Sequence, residues 1–271
     1  MTNFSGMVVK ASLMLFGLCA VLGLPCQAQT PATPDSNRKP VLVELFTAEG
    51  CSSCPPAEAL ALQMEKQPLP GIDMIVLEEH VDYWNQDGWV DPFSSADWTD
   101  RQKDYVSKLA NGNPYTPEMV VDGQSQFPGS HGQDAQLAIE KAARGPETNV
   151  TVTEGKQDPK GAGDFDVSVG KLEGNSPGDE AEVWLAVTED GLHSSVTAGE
   201  NAGHTLYHAA VLRYLHKIGV AQAKGDAASF SGDARVKFKS NWKRENLNVV
   251  VFVQERKSRQ ILGAASTKLA S

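Results

Sequence analysis

The sequence predicts an α/β domain over residues 41–146, followed over 147–271 by a mostly-β domain of antiparallel, sandwich-like character. In the first part, short apolar runs rich in β-branched residues alternate with runs of helix-forming residues. This pattern is typical of strands buried on both faces between helices. In the second part, apolar and polar residues alternate, as in strands with one solvated face. A chain of 271 residues with 41% hydrophobic residues is long enough for two domains.

The first part contains seven predicted elements, in the order strand, helix, strand, helix, two-stranded hairpin, helix. The hairpin is predicted from Asp122-Gly123, because this dipeptide favours the left-handed conformation that a two-residue turn requires. The strands are predicted over 41–46, 73–78, 118–121 and 124–127, and the helices over 57–66, from Ser94 onward and from Ser130 to Gly145.

The second part is predicted to consist of several short strands and one helix. The period-2 alternation is clear at residues 165–169, where Phe165 is followed by valines at every second position. A helix is predicted over 206–218, because Val211, Leu212 and Leu215 lie at helical spacing.

The N-terminus has the layout of an export signal. Lys10 precedes an apolar run over 11–24, and small residues occupy the −3 and −1 positions of a cut after Ala28. This predicts a signal peptide over 1–28 and a flexible leader over 29–40. The alternative is an uncleaved membrane anchor, for which the run is short. We therefore expect a periplasmic or secreted protein that has no membrane contact after signal cleavage.

The net charge and the cysteine content indicate which partners and which chemistry to expect. The formal net charge is −10, and an acidic chain repels phosphate backbones, so nucleic acid is not expected as a partner. Cleavage after Ala28 removes two of the four cysteines and leaves Cys51 and Cys54. In an oxidising compartment such a pair is often a disulfide.

Cys51-Ser52-Ser53-Cys54 lies between a predicted buried strand and a predicted helix. The N–H groups at a helix start stabilise negative charge, which favours the thiolate that reacts in disulfide exchange. We predict that Cys51 is the nucleophile and that Cys54 resolves the mixed disulfide. A purely structural disulfide is the alternative. A zinc knuckle is disfavoured, because the chain has no second cysteine pair after cleavage.

Several further motifs accompany the cysteine pair. They are 43–47, Gly50 to Ala57, His80 to Trp84, Asp91 to Ser95, Tyr115-Thr116-Pro117, Val120 to Gly123, Gly199 to Gly203, Thr205-Leu206 and His208. With these motifs the chain resembles, over about 40–265, a secreted bacterial family catalogued as domain of unknown function 1223. The resemblance implies a thioredoxin-like fold for the first domain and supplies no reaction.

Thr116-Pro117 stands where thioredoxin-like domains carry a cis-proline loop facing the disulfide. We predict that Pro117 is cis and that the Thr116 backbone binds a substrate chain through strand-like hydrogen bonds; an ordinary trans turn is the alternative. Tyr83 and Trp84 are predicted to form part of an apolar wall for substrate, or else to belong to the local core.

Glu44 lies within an otherwise apolar predicted strand, seven positions before Cys51. A buried carboxylate has a raised pKa and is able to accept a proton. We therefore predict that Glu44 takes the proton from Cys54, with a position on a solvated rim as the alternative.

His80 ends the second predicted strand. It is a candidate to tune the thiolate, or to join Cys51 and Cys54 in binding copper(I), since soft thiolates with an imidazole suit that ion. A hydrogen bond to the backbone is the plainer alternative. His204 and His208 have the spacing of a helical metal pair, but we expect a cap or an interface role for them.

Together these features predict thiol–disulfide exchange with a thiol or disulfide of another secreted protein. The redox-active disulfide would need no further cofactor, and a separate reductase or oxidase would reset it. The two alternatives are a copper(I)-binding delivery module and a non-catalytic binding domain with a structural disulfide.

Overall fold

The computed structural model describes residues 1–2, 38–109, 112–158, 161–222 and 227–270. The helices in these ranges are α1 (Pro55–Lys66), α2 (Ala96–Leu109) and α3 (Gly132–Ala142). The strands are β1 (Lys39–Thr47), β2 (Ile72–His80), β3 (Glu118–Val121), β4 (Ser125–Pro128), β5 (Val150–Asp158), β6 (Ala162–Val169), β7 (Ala181–Glu189), β8 (His193–Ser195), β9 (Thr205–Tyr207), β10 (Val211–Ala221), β11 (Phe230–Lys237), β12 (Leu247–Glu255) and β13 (Ile261–Lys268). Residues 3–28 of the predicted signal peptide and most of the predicted leader lie outside the described residues.

Eight strands form one mixed sheet in the order β13-β12-β7-β10-β2-β1-β3-β4. β2 pairs in parallel with β1 on one side and with β10 on the other, and the other neighbours are antiparallel. A second, antiparallel sheet has the order β11-β6-β5, and β8 pairs with β9 in a short ribbon. The carboxyl ends of β1 and β2 therefore lie side by side. The segment between β9 and β10 lies at the same end of β2, because Val211 pairs with Glu78.

The predicted fold class is wrong. The structure is mostly β, and it is not an α/β thioredoxin-like domain followed by a separate sandwich. The reason is the pairing of β10 with β2, which makes strands from both halves of the chain into one sheet. The described residues from 38 onward accordingly form one compact unit. The predicted boundary after residue 146 falls between α3 and β5, within that unit.

The order of elements in the first half is as predicted. β1 is buried on both faces because it lies inside the large sheet between helices. Val43 and Leu45 pack with Ala57 and Ala61 of α1, whereas Leu42 points to the opposite face. β1 begins at Lys39, inside the predicted leader. None of the helices in the described ranges has the length and apolar character needed to span a membrane.

The helix predicted over 206–218 is wrong, since this region forms β9 and β10. Register shifts in the pairing of β10 with β7 lie between Leu212 and Tyr214 and again between Lys217 and Gly219. Each irregularity breaks the period-2 alternation of a strand. The apolar residues of β10 consequently recur at spacings of three and four, which resemble a helix.

The second half builds its own core between the two sheets. Phe165 and Val167 of the small sheet pack against Val183 and Leu185 of β7, and Val251 of β12 joins them. The second half therefore lies in two layers, but it is not the separate sandwich that was predicted, because one of the two layers is the large mixed sheet that the whole unit shares.

Candidate functional site

Cys51 and Cys54 form a disulfide in the loop between β1 and α1. The loop is tight, since the Cys54 N–H donates to the Cys51 carbonyl at 3.2 Å. Cys54 is the N-cap of α1, and Pro55 and Pro56 occupy the first turn, where a helix makes no use of the N–H groups that prolines lack. Both cysteines are fully buried in an apolar cluster that includes Phe46.

The residues between the two cysteines face outward. Ser52 and Ser53 are exposed, and the Ser53 hydroxyl lies 3.4 Å from Cys51 Sγ, with the hydroxyl as donor to the disulfide sulfur. This donor, together with the start of α1, would stabilise a thiolate at Cys51.

A loop from the second half of the chain covers the cysteine loop. The Glu200 carboxylate accepts from the Ser52 N–H at 3.0 Å. The buried Asn201 amide donates to the carbonyls of Glu49 at 2.8 Å and of Cys51 at 3.0 Å. The segment 199–203 that carried part of the family resemblance is therefore the segment that shields the disulfide. The exposed Glu200 has a lowered pKa because of its hydrogen bonds from Ser52.

The Thr116–Pro117 peptide bond is cis, as predicted. Trp84 Nε1 donates to Thr116 Oγ1 at 2.8 Å, which ties the proline loop to the aromatic loop after β2. Tyr83 and Trp84 are half-buried and pack against the apolar cluster that holds the two cysteines. Burial raises the pKa of Tyr83 to about 12. The structure thus brings Thr116, Tyr83 and Trp84 to the predicted neighbourhood, and their binding of substrate stays a prediction.

Glu44 is buried, as predicted, and both of its oxygens have partners. Arg101 Nε donates to Oε1 at 2.5 Å and the Tyr105 hydroxyl donates to Oε2. Arg101 also lies 3.5 Å from the buried carboxylate of Glu79 and donates to Gln254. Glu44 is thus the centre of an ion-paired network, and proton transfer from Cys54 to it stays a prediction.

Three buried side chains meet at the end of β2. Glu78 Oε1 lies 3.8 Å from His80 Nε2 and 3.4 Å from His208 Nδ1. All three residues are fully buried or within 1% of it, and the two imidazole rings cross with centroids 4.8 Å apart. The second oxygen of Glu78 accepts from the Ala209 N–H.

Each histidine has a carboxylate on its other nitrogen. His80 Nδ1 lies 2.7 Å from Asp91 Oδ2, and His208 Nε2 lies 3.1 Å from Glu49 Oε1. Asp91 also accepts from the Glu49 N–H at 2.8 Å, which connects the two pairs. Burial disfavours the charged imidazole, but Asp91 outweighs it and raises the pKa of His80.

A fourth carboxylate completes this group. Glu58 Oε2 lies 3.6 Å from His208 Nδ1, and Glu58 Oε1 accepts from the Thr47 hydroxyl at 2.7 Å. Burial, with the neighbouring Glu78 charge, raises the pKa of Glu58 to about 7. Burial would lower the pKa of His208, but its hydrogen bond to Glu49 and the other carboxylates raise it to about 10.

Among the described residues, the two cysteines are joined as a disulfide, and His80 forms a group with Glu78 and His208. Copper(I) binding by Cys51, Cys54 and His80 stays a prediction. His208 lies in a loop before β10, not on a helix with His204, which is exposed. The predicted interface role fits His208, because it joins the second half of the chain to Glu49.

The sequence offered no reason to assign a functional role to most of the buried polar residues at this edge of the sheet. The residues without a predicted role are Glu49, Glu58, Glu78, Glu79, Asp91 and Asn201. The available signal was Glu78-Glu79-His80 at the end of an apolar strand, since polar side chains in a strand that is buried on both faces need buried partners.

Several solved structures resemble this one, and two of them cover most of this chain. The first, from Agrobacterium tumefaciens, has 23% sequence identity, covers 85% of this chain and 97% of its own, and has a TM-score of 0.59. The second, HBP35 of Porphyromonas gingivalis, has 15% identity, covers 86% of this chain and 76% of its own, and has a TM-score of 0.65. At these identities the likeness shows the fold alone. No curated protein matches the chain. A family profile described as "Protein of unknown function (DUF1223)" matches residues 42–254.

Proposed function

Because this chain belongs to the DUF1223 family, which is described only as proteins of unknown function, we propose an activity from its own residues: thiol–disulfide exchange through Cys51 and Cys54. The profile match confirms the family that was predicted from the sequence. The observation that carries the proposal is a disulfide that spans two residues and ends on the N-cap of α1. A helix start favours the thiolate, and the short spacing keeps the second sulfur within reach of a mixed disulfide.

In the reducing direction, the exchange proceeds in two steps. The Cys51 thiolate attacks a partner disulfide, a bond forms between Cys51 Sγ and one partner sulfur, and the other partner sulfur leaves and gains a proton. Cys54 then loses its proton and attacks Cys51 Sγ, which restores the internal disulfide and releases the second partner thiol. The partner gains two electrons and two protons. Another protein dithiol must then reduce the pair, and the oxidising direction is the reverse.

The surroundings favour a weakly oxidising pair. The Ser53 hydroxyl supports a Cys51 thiolate, but no basic side chain lies between the cysteines, and the carboxylate of Glu200 is bound to the Ser52 N–H. A carboxylate bound to the cysteine loop opposes the thiolate and so stabilises the disulfide. We expect a reduction potential nearer to that of a reductant such as thioredoxin than to that of a strong oxidant.

Trp84 and the Thr116–Pro117 loop are the proposed contact for the partner chain. Trp84 packs with the cysteine cluster and bonds to Thr116, so a partner that reaches the disulfide passes over both residues. The half-buried ring of Tyr83 extends the same apolar surface. We propose that the partner is another secreted protein, in the compartment to which the predicted signal peptide directs this chain.

One observation favours a second candidate, a binding domain with a fixed structural disulfide. Both cysteines are fully buried, and the 199–203 segment is hydrogen-bonded over them. Disulfide exchange requires an attacking thiolate to reach a sulfur in line, so this segment has to move for the redox activity to occur.

The reduction potential of the pair separates the two candidates. The mature chain is equilibrated in graded dithiol buffers, alkylated and weighed. A value between about −120 and −270 mV is the expected result and matches known exchange catalysts. A value below about −300 mV indicates a structural disulfide that resists reduction and refutes the proposed exchange.

A trapping experiment tests the assigned roles. Cys54→Ser is expected to accumulate mixed disulfides through Cys51 with a protein dithiol–disulfide substrate, since the resolving thiol is missing. Cys51→Ser is the matched control and should accumulate far less. Equal trapping by the two variants would contradict the assignment of Cys51 as the nucleophile.

A further inference from the structure

We propose that Glu78, His80 and His208 bind one Zn²⁺ ion, and that the neighbouring Glu58 turns toward the ion as the fourth ligand. Glu78 Oε1, His80 Nε2 and His208 Nδ1 all lie within 4.8 Å of one another. Two ligands of a tetrahedral zinc ion lie about 3.4 Å apart, because each is about 2.1 Å from the metal. The distances from Glu78 Oε1 to the two nitrogens, 3.4 and 3.8 Å, are close to that value.

The atoms that face one another make ion-pair contacts but no hydrogen bonds among the described residues. Glu78 Oε1, His80 Nε2 and His208 Nδ1 are buried, and each lacks a hydrogen bond among the described residues. A buried polar atom without a partner costs roughly 1–3 kcal/mol, so three of them pointing at one another are costly. A cation placed between them would satisfy all three at once.

In each histidine, the ring nitrogen that faces away from the proposed ion is bound by a carboxylate. Asp91 holds His80 Nδ1, and Glu49 holds His208 Nε2. A carboxylate on one ring nitrogen fixes the tautomer that leaves the other nitrogen free to bind the ion. The Asp91 bond to the Glu49 N–H holds the two carboxylates in a fixed relation, so both rings are oriented before an ion arrives.

The charge of the group also calls for a cation. Four buried acids surround the two histidines, and within the described residues their ion pairs are all to these histidines. Two histidines carry at most two positive charges, which leaves a buried excess of negative charge if the four acids are ionised. Buried charges are stable only when they are paired or bind a metal.

The donor set selects the kind of ion and its role. Two imidazoles and carboxylates without a sulfur suit Zn²⁺, which is four-coordinate in structural sites. Glu58 Oε2 lies 3.6 Å from His208 Nδ1 but is not among the atoms that lie within 4.8 Å of one another, so this side chain has to move toward the ion to supply the fourth ligand. All of these ligands are buried, so the ion would be held away from solvent in a structural role.

This site is independent of the proposed exchange activity. Neither sulfur belongs to it, and the ligands come from β2, α1 and the loop before β10. The ion would join both halves of the chain at the pairing of Val211 with Glu78.

The test uses the full chain with its disulfide intact, stripped with a chelator and titrated with Zn²⁺ alone. We expect one Zn²⁺ per chain and a rise in the melting temperature. His208→Gln and Glu78→Gln should each weaken binding by at least about 100-fold, and Asp91→Asn by about 10–100-fold. His204→Ala is the matched control, four residues from His208 but exposed, and should bind as the wild type does.

Cobalt(II) substitution of the wild-type chain keeps the test decisive if a variant does not fold. A tetrahedral spectrum without a thiolate charge-transfer band is expected from nitrogen and oxygen ligands. Absence of stoichiometric Zn²⁺ in the wild type, wild-type affinity in both ligand variants, or a thiolate band would overturn the proposal. The reduction potential of the cysteine pair is measured separately, so failure of one proposal does not carry over to the other.

Discussion

Asn201 is the residue that most directly shields the disulfide. Its amide spans two carbonyls in the cysteine loop, and Glu200 beside it takes the Ser52 N–H. The contacts join residues 150 positions apart, so they depend on the whole fold being formed. Access to Cys51 is therefore controlled from a distant part of the chain.

Asn201→Ala is expected to speed the reduction of the disulfide by dithiothreitol. The change removes two hydrogen bonds worth about 1 kcal/mol each, so the rate should rise about 10-fold or more. Alkylation of samples quenched over time measures it. Thr197→Ala, an exposed change just before the 199–203 segment, serves as the control and should leave the rate unchanged. An unchanged rate in Asn201→Ala would mean that the dithiol reaches the sulfurs by another route.

Arg101→Met is expected to destabilise the protein by about 3–5 kcal/mol, because it leaves the buried acids Glu44 and Glu79 without their cation. Urea denaturation at pH 7 measures the loss. Lys103→Met, on the same helix, removes an exposed pair with Asp100 and should change stability by less than about 1 kcal/mol. A loss in Arg101→Met no larger than in this control would show that the network is not a charge-compensating one.

At the scale of elements, the hairpin of β3 and β4 shows what local sequence can predict. Asp122 and Gly123 have φ of 47° and 64°, and the Gln124 N–H closes the turn on Val121. A Cβ on Gly123 would lie 1.9 Å from the Arg259 carbonyl, so the glycine is required both by its φ and by a close approach. The first requirement could be predicted from the dipeptide; the second could not.

Asp122→Asn is expected to gain stability relative to the wild type as the pH rises. Burial raises the pKa of Asp122 to about 7 from 3.8, so the wild type loses stability as the pH rises from about 4 to about 7. Asparagine does not titrate, tolerates the positive φ and keeps the acceptor for the Leu42 N–H. Because the residue is partly exposed, we expect the difference to grow by about 1–3 kcal/mol.

Urea denaturation of both proteins at pH 5 and pH 8 measures the Asp122 effect. Asp73→Asn, at a half-buried position of β2, provides a comparison in another strand of the same sheet. A difference between wild type and Asp122→Asn that stays constant or shrinks with pH would contradict the raised pKa.

At the scale of the whole molecule, the sequence predicts local structure but not the pairing of strands that are far apart in the chain. The disulfide, the three helices and the order of the first seven elements follow from neighbouring residues. The pairing of Val211 with Glu78 does not, because no local pattern indicates which strand covers the edge of β2. The fold class and the histidine group both depend on that pairing, so the first was predicted wrongly and the second was missed.

A chain that ends after Pro146 is expected not to fold. It lacks Leu212 and Phe252, which cover the α2-side face of β1 and β2 around Leu42 and Leu77. It also leaves Glu78 and His80 without His208. Circular dichroism and tryptophan fluorescence under urea measure this, with residues 38–271 as the control. A cooperative transition in the shorter chain would establish the predicted boundary at 146 as that of an independent domain.

The pairing of β10 with β2 also affects how the protein is made. β2 is complete at His80, but the strand that pairs with its edge at Glu78 begins at Val211. During synthesis this part of the strand edge therefore stays unpaired until the second half has emerged. Such an edge is a template for aggregation. The newborn polypeptide should thus depend on a holding chaperone throughout this interval, and slowing translation beyond His80 should increase the fraction that aggregates.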